Sequence, residues 1–258
     1  MRPSPTLESR SPALDGPVVQ VRGLRKAFGS NLVLNGFDLA LRRGENLMVL
    51  GKSGSGKSVL IKCIVRLLQP DAGSIAVLGQ DVLALDQEAL DRLRVRIGFL
   101  FQSSALYDSM TVQENLEFPL RRHWIARDPK EKEALVEEVL SAVGLPQTRK
   151  LYPSELSGGM KRRIGLARTL ILKPEIVLYD EPTTGLDPVT GKEIVELILK
   201  LQRAYNTSSI IISHDLNVAK LAANRIIVLH EGCNHVEGGY DDLRASTDSV
   251  VRSFFIFM

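Results

Sequence analysis

The sequence contains few cysteines, no long apolar run and only a small excess of positive charge. Its two cysteines in 258 residues, Cys63 and Cys233, lie far apart and outside any metal-ligand spacing. We therefore expect reduced thiols in a cytosolic compartment, and neither a disulfide framework nor a zinc site. No apolar stretch reaches the about 18 residues that a membrane-spanning helix needs, so no such helix is predicted.

The charge and the composition also limit the classes of partner. A net charge of +3 is small for this length, so neither nucleic acid nor an anionic membrane surface is indicated as a partner. The basic residues are scattered, and short pairs such as Arg162–Arg163 are interpreted mostly as solvated faces. Residues 1–16 are rich in Pro and Ser and lack the apolar core of a secretory signal. We expect them to be a disordered lead-in to one domain at 17–258.

A phosphate-binding motif lies in residues 46–58, NLMVLGKSGSGKS. The apolar run Leu47–Leu50 predicts a buried strand, which leads directly into the P-loop spacing G-x-x-x-x-G-K-[ST]. Glycines let the backbone turn its N–H groups toward phosphate oxygens, and the following helix presents its positive N-terminus to the same anion. Lys57 can reach the β- and γ-phosphates, and Ser58 can ligate Mg²⁺. The predicted phosphate-binding residues are Gly51, Ser53, Gly54, Ser55, Gly56, Lys57 and Ser58.

Strands and helices alternate on both sides of a long segment with helical periodicity. Apolar runs predict strands at Val18–Val21, Leu32–Leu41, Ile176–Tyr179, Ile210–Ser213 and Ile226–Leu229. Residues 103–174 carry little strand signal and include a predicted helix over 156–172 that Pro174 stops. This order predicts an α/β fold with a mainly parallel sheet and an inserted helical subdomain.

Four further segments carry residues that can act on a nucleotide, although each is weak alone. Asp180 can hold Mg²⁺ at the end of an apolar strand, and Glu181 can polarise an attacking water. Each segment also has an ordinary structural explanation, such as a solvent-facing acidic pair or a plain helix N-cap. The four segments are Gln102, the run Ser157-Gly158-Gly159, the pair Asp180-Glu181, and His214.

The order of these motifs resembles the nucleotide-binding subunit of ABC (ATP-binding cassette) transporters. The series is the P-loop, FQ at 101–102, LSGG at 156–159, DE at 180–181, GLD at 185–187 and SH at 213–214. The match runs from residue 17 to about 240. It implies an α/β P-loop NTPase, an ABC cassette with a RecA-like mixed-sheet core and an α-helical subdomain inserted at about 103–174. It also implies ATP and Mg²⁺.

The resemblance implies a role for each matching nucleotide-binding residue. Phe28 corresponds to the aromatic residue that stacks on adenine, and Gly51–Ser58 to the Walker A loop. Ser58, Gln102 and Asp180 would hold Mg²⁺.

It also implies the catalytic residues and a dimer. Glu181 corresponds to the catalytic base, His214 to the switch histidine at the γ-phosphate, and Gln102 to the Q-loop glutamine that contacts Mg²⁺ and water. The remaining matches are the signature residues Ser157, Gly158 and Gly159, which would bind the γ-phosphate held by the other protomer, and the D-loop residue Asp187. Two anion-binding helix ends in separate subdomains cannot hold one nucleotide. A head-to-tail homodimer that sandwiches two ATP molecules is therefore expected.

The expected setting is a membrane transporter. The resemblance implies a peripheral ATPase on the cytoplasmic face of the inner (plasma) membrane, bound to integral-membrane permease subunits and not to nucleic acid. The alternative from another class is a soluble ABC ATPase of DNA repair or translation. The single cassette, without a heptad run or a basic arm, argues against that alternative.

Two segments, 100–123 and 152–170, resemble the Mla-type (maintenance of lipid asymmetry) ATPase of phospholipid transporters. The details are Ser103–Leu106, Asn115–Pro119, and Met160 where most cassettes have Gln. This finer resemblance implies phospholipid transport, with a lipid-carrier substrate-binding subunit as a further partner. An ATPase for amino-acid import or lipoprotein release is the alternative within transport.

Three features leave the structure or the partner open at this stage. Segment 103–120 carries Leu106, Tyr107, Met110, Phe118 and Leu120, which face either a permease or the core of the helical subdomain itself. The run from Phe254 to Phe257 either packs on the sheet or docks on a partner chain. Lys52 replaces the usual Pro of the P-loop at an exposed turn position, where we expect it to be tolerated.

Overall fold

Ten strands form two separate sheets in the computed structural model, which describes residues 16–123 and 128–255. The strands are β1 (Val19–Phe28), β2 (Asn31–Leu41), β3 (Asn46–Leu50), β4 (Ala72–Val77), β5 (Gln80–Asp81), β6 (Ile97–Leu100), β7 (Ile176–Asp180), β8 (Ser208–Ser213), β9 (Arg225–His230) and β10 (Cys233–Gly238). The predicted lead-in at 1–16 lies outside the described residues except for Gly16.

The larger sheet confirms the predicted parallel core. Its strand order is β10-β9-β3-β8-β7-β6, in which β9, β3, β8, β7 and β6 are parallel and β10 is an antiparallel edge. Every residue of β3, β7 and β8 is buried, as expected for strands that are covered on both faces. The ends of these three strands lie at one edge of the sheet, where the P-loop begins and where Asp180 and Ser213 lie.

The smaller sheet supplies the antiparallel part of the mixed-sheet fold that the resemblance implies. Strands β2, β1, β4 and β5 form an antiparallel sheet of their own. Strand β1 continues to Phe28 and does not end at the predicted Val21, so Phe28 is the last residue of the strand. Irregular pairing between Val21 and Leu24 interrupts the alternation of apolar and polar residues in β1, which is why the pattern predicted a shorter strand.

Helices cover both faces of the larger sheet. They are α1 (Lys57–Ile64), α2 (Gln87–Val95), α3 (Val112–His123), α4 (Pro129–Ala142), α5 (Gly158–Leu170), α6 (Pro188–Tyr205), α7 (Leu216–Ala222), α8 (Tyr240–Ala245) and α9 (Ser249–Phe255). Helix α1 ends at Ile64, and two residues later Arg66 takes a left-handed φ of 51°, which leaves Leu67 51% exposed. Helix α5 lies within the predicted 156–172 and begins after its N-cap, Ser157.

The core lies on both sides of β3, since its residues alternate between two hydrophobic clusters. Met48 and Leu50 face the cluster that contains α3 to α9. Leu47 and Val49 face the cluster that contains α1, α2 and the antiparallel sheet. The helices α3 to α5 therefore extend one face of a continuous core, and they are the helical insertion that the sequence predicted.

The C-terminal apolar run packs against this core as far as the structure describes it. Val251 of α9 is fully buried, and Phe254 and Phe255 are partly buried against the cluster of helices α3 to α9. The Phe255 ring lies 5.9 Å from the Tyr240 ring. No helix within 16–123 and 128–255 has the length and apolar character needed to cross a membrane.

Candidate nucleotide-binding site

The P-loop begins at the end of β3 and closes at the N-terminus of α1. Gly56 precedes α1 with a φ of 101°, and a Cβ there would lie 2.7 Å from Val33 Cγ1, so only glycine fits. The Lys57 side chain is 5% exposed and returns over the loop, where Nζ donates to the carbonyls of Gly51 at 2.8 Å and Lys52 at 3.0 Å. The lysine ammonium is thus held inside the loop that the motif predicts to hold phosphate.

Ser55 gives an independent indication that this loop fits an anion. Its Oγ is buried and has no hydrogen-bond partner among the described residues. A buried hydroxyl without a partner is costly, and native proteins rarely leave one without a reason. A phosphate oxygen would accept from this hydroxyl and from the neighbouring backbone N–H groups, so the residues present fit the predicted nucleotide.

Ser58 and Asp180 meet at the edge of the sheet and fit a divalent cation. Ser58 Oγ donates to Asp180 Oδ1 at 2.9 Å. Burial raises the pKa of Asp180, and the adjacent Glu181 also raises it, while the bond from Ser58 opposes the change. No group of three or more acidic, His or Cys side chains within the described residues is placed to bind a metal alone. A hydroxyl and one carboxylate, completed by phosphate oxygens, is nevertheless a usual environment for Mg²⁺.

Glu181 is contacted by side chains from four other positions of the candidate site. It has a left-handed φ of 49° directly after β7. Its carboxylate lies 3.4 Å from Lys57 Nζ and 3.0 Å from His214 Nδ1. The hydroxyls of Ser213 and Thr184 donate to its Oε2 at 3.2 Å and 3.3 Å. A carboxylate surrounded in this way can accept a proton, and its orientation is fixed by four neighbours.

The predicted signature residues lie elsewhere, at the start of α5. Ser157 is the N-cap of the helix, and its Oγ accepts from the Met160 backbone N–H at 3.2 Å. A Cβ at Gly159 would lie 2.8 Å from Thr190 Cγ2, and one at Gly158 would lie 3.5 Å from Leu186 Cδ2. The signature turn therefore packs against the segment around Asp187 in the same chain, and the structure does not bring it to the P-loop.

The structure gives the positions of three further predicted residues, Phe28, Gln102 and Asp187, and their roles stay predictions. Phe28 is 48% exposed, and Lys26 Nζ lies 5.4 Å from its ring centre. Gln102 is exposed in the turn after β6, and no hydrogen bond among the described residues joins it to Ser58 or Asp180. Asp187 caps α6, where its Oδ1 accepts from the Thr190 N–H at 3.0 Å.

Several residues that shape the site are not predicted from the sequence. The sequence predicts a solvated face for the Arg162–Arg163 pair, but Arg162 is only 5% exposed and donates to the carbonyls of Phe101 and Thr184. The one available signal is its helical spacing, since Arg162 lies four residues before the buried Leu166. Thr184 lies outside the motifs, and Ser213 enters only as the first residue of the SH pair without a role, because hydroxyl residues near strand ends are common.

A second arginine of α5 holds the turn that contains Gln102. Arg168 donates to the carbonyls of Ser104 at 2.7 Å and Ala105 at 2.8 Å. Both residues have left-handed backbones, with φ values of 60° and 47°. The turn is thus strained and pinned against the helix.

Because this turn is closely packed, we expect a methyl group added at Gly165 to destabilise the protein. In Gly165→Ala the new Cβ would lie 3.0 Å from the Cβ of the pinned Ser104 and 2.9 Å from Leu100 Cδ1. We expect the variant to lose about 1–2 kcal/mol in the free energy of unfolding, because overpacking outweighs the gain in helix propensity. Urea denaturation measures this value.

Two variants serve as controls. Adding Ser104→Gly to Gly165→Ala removes both the opposing Cβ and the strained side chain, so the double variant should regain most of the loss. Gly191→Ala in α6 places a methyl 3.6 Å from Thr183 Cβ, an ordinary contact, and should be neutral or stabilising. Equal destabilisation at Gly165 and Gly191 would contradict the packing argument.

Comparison with known proteins gives one family and one fold. The ABC transporter family model matches residues 34–184. The methionine import ATP-binding protein MetN of Brucella abortus (strain 2308) is 39% identical over 238 residues, which are 92% of this chain and 63% of that protein. The probable ribonucleotide transport ATP-binding protein mkl of Mycobacterium leprae (strain TN) is 37% identical and is covered over 69% of its length. The chain thus spans a little less than two thirds of MetN.

Solved structures share the fold over most of the chain. The dimeric post-hydrolysis state of the ATP-binding cassette MJ0796 bound to ADP and Pi has a TM-score of 0.78 at 32% identity, covering 86% of this chain and 98% of that one. The cbiO1 protein from Clostridium perfringens, part of the transporter complex cbiONQ, has a TM-score of 0.82 at 24% identity, covering 94% of this chain and 99% of that one. The latter likeness concerns the fold alone.

Proposed function

This chain belongs to the ABC transporter family, whose cassettes are ATPases that use ATP and Mg²⁺, and we propose that it powers a membrane transporter by hydrolysing ATP. The proposal rests on the contact between the P-loop lysine, Lys57, and the carboxylate of Glu181, whose orientation is fixed by its neighbours. Lys57 Nζ lies 3.4 Å from Glu181 Oε1, and both side chains are nearly buried. A phosphate-binding cation and a proton acceptor are thus adjacent, as hydrolysis of a phosphoanhydride requires.

Each residue of the site has a separate task in this proposal. Lys57 exchanges its two loop carbonyls for phosphate oxygens, while Ser55 and the loop N–H groups complete the anion site. Glu181 accepts the proton of the attacking water, and His214 holds Glu181 in orientation. Ser58 and Asp180 hold Mg²⁺, which when bound neutralises charge that develops on the phosphate oxygens.

The proposed working unit is a homodimer. The signature turn of α5 packs on Leu186 and Thr190 and lies apart from the P-loop of its own chain. It is therefore free to bind the nucleotide of a second copy, with Ser157 and the first N–H groups of α5 as donors. Two dimeric structures of the similar cassette MJ0796, one of them with ADP and Pi, support this arrangement.

We propose phospholipid as the transported substrate, with amino-acid import as the second candidate. The first rests on the likeness of segments 100–123 and 152–170 to Mla-type ATPases. The second is favoured by the methionine import protein that is 39% identical to this chain. The residues of the site would face a nucleotide under either candidate, so the choice rests on the two likenesses above.

The partners follow from the same proposal. Two permease chains, and for a phospholipid substrate a lipid-carrier subunit, would hold the cassette at the cytoplasmic face of the inner (plasma) membrane. Tyr107, 45% exposed, packs against Phe118 with tilted rings and 4.9 Å between ring centres, and this pair would form part of the surface offered to a permease. Leu120 is instead fully buried in the protein's own core.

The test is to purify the tagged chain with its native membrane partners and identify proteins and lipids by mass spectrometry, with an untagged preparation as control. A permease, a lipid-carrier subunit and bound phospholipid are expected. A permease with an amino-acid-binding subunit and no lipid would favour the second candidate. Ribosomes or DNA-repair factors in place of membrane proteins would contradict the transporter.

A further inference from the structure

One buried arginine joins the two turns that carry the predicted catalytic residues. Arg162 lies in the second turn of α5 and its side chain is 5% exposed. Its Nη1 donates to the carbonyl of Phe101 at 3.0 Å, and its Nη2 donates to the carbonyl of Thr184 at 3.1 Å. Burial lowers the pKa of this guanidinium, so its environment disfavours the charge that it carries.

The carbonyl of Thr184 belongs to the turn that orients Glu181. The Thr184 N–H donates to the Glu181 carbonyl at 3.2 Å, and the Thr184 hydroxyl donates to Glu181 Oε2 at 3.3 Å. Glu181 itself has a left-handed φ of 49°, which a residue with a side chain adopts only when its surroundings hold it there. A donor on the far side of this turn therefore helps to fix the carboxylate.

The carbonyl of Phe101 belongs to the turn that carries Gln102. Phe101 immediately precedes Gln102, and the strained pair Ser104 and Ala105 follows. Arg168 of the same helix holds that pair through two further bonds. Helix α5 thus binds both ends of this turn through hydrogen bonds. Arg162 also binds the Glu181 turn, through the Thr184 carbonyl.

A stabilising role alone does not account for a charge at this position. A buried guanidinium loses its hydration, and a well-packed apolar side chain of similar volume often gives equal or greater stability. The planar fork of arginine can instead hold two carbonyls of separate segments in one fixed geometry. The neighbouring Arg163 lacks this feature, since it is more exposed and bonds to the Val143 carbonyl and to Glu193.

We propose that Arg162 is a positioning residue for ATP hydrolysis, which ties the Gln102 turn and the Glu181 turn to the signature helix. The inference rests on the proposed ATPase function. A displacement of α5, as when Ser157 binds the nucleotide of a second protomer, is then transmitted to both catalytic turns through one side chain. Arg162 contacts neither nucleotide nor water in this scheme, and it acts through Thr184 and Phe101.

The first test compares Arg162→Met with the matched control Arg163→Met. Methionine keeps an unbranched apolar stem and removes both donors. We expect kcat of ATP hydrolysis to fall at least about 10-fold in Arg162→Met, with KM for ATP within about twofold, because the turns and not the P-loop are released. Arg162→Lys keeps the charge and one donor at a time, and should recover part of kcat. Arg163→Met should match the wild type.

The second test measures the mobility of the two turns directly and does not depend on ATPase activity. In hydrogen–deuterium exchange of the full chain, Arg162→Met should speed exchange in both 100–106 and 181–187, and Arg163→Met in neither. Equal kcat in the two methionine variants, a change confined to KM, or faster exchange in only one turn would overturn the proposal. A wild type that lacks ATPase activity would contradict the proposed function instead, while the exchange experiment would still test the tie.

Discussion

Glu181→Gln is expected to lower kcat for ATP hydrolysis at least about 100-fold while ATP affinity stays within about twofold, since a positioned general base contributes roughly 10²–10⁴ in rate. Glutamine keeps the shape of the side chain and can still accept from the Thr184 and Ser213 hydroxyls, but it cannot take a proton from water. It also removes the negative charge 3.4 Å from Lys57, which leaves that ammonium free for phosphate. Single-turnover hydrolysis and equilibrium ATP binding measure the two effects.

The same variant should accumulate as a dimer with ATP and Mg²⁺, because the nucleotide that joins the protomers is no longer consumed. Size-exclusion chromatography with light scattering detects this state. Glu231→Gln is a matched control, since Glu231 has the same φ of 49° but lies exposed in the turn between β9 and β10. Wild-type turnover in Glu181→Gln would remove Glu181 as the base, and an ATP-bound monomer would remove the sandwich.

The parts of the fold that the sequence predicted correctly are those fixed by local patterns. The buried strands β3, β7 and β8 contain short apolar runs, and each is followed by a residue of the candidate site, namely Gly51, Glu181 and His214. Parallel strands bring their carboxyl ends to one edge. The P-loop after β3 and Asp180 at the end of β7 therefore lie at the same edge, which is consistent with the contact between Ser58 and Asp180, 122 positions apart in the chain.

The parts that the sequence did not predict depend on contacts between distant segments. The antiparallel sheet pairs β1 with β4, which are separated by the P-loop and α1, and nothing in either strand specifies that partner. Arg162 is similar, because its two acceptors are backbone carbonyls, and a carbonyl is present at every position of the chain. The interpretation of the Arg162–Arg163 pair as a solvated face is therefore wrong for Arg162, which is buried. Arg163 is partly exposed, as that interpretation predicts.

The backbone conformation of Glu181 adds a reason why the acidic pair Asp180-Glu181 is only a weak signal in the sequence. An acidic pair at a strand end usually faces solvent, whereas here the chain turns sharply after Asp180 into a left-handed residue. That turn sends Asp180 toward Ser58 and Glu181 toward Lys57 and His214. Two adjacent carboxylates thus obtain different neighbours and different proposed tasks, and the difference arises from one φ angle that the residue types do not reveal.

Lys57→Met is expected to weaken ATP binding about 10- to 100-fold, since a hydrogen bond to a charged group contributes roughly 1.5–3 kcal/mol. The substitution keeps the length of the side chain but leaves Gly51 and Lys52 carbonyls without their donor and Glu181 without its cation. Fluorescence titration with a labelled ATP analogue measures affinity, and thermal unfolding separates it from stability. Lys52→Met is the matched control, because Lys52 lies in the same loop with an exposed side chain. If both methionine variants lost affinity equally, the effect would come from the net charge of the loop, and the assignment of Lys57 as the phosphate ligand would fail.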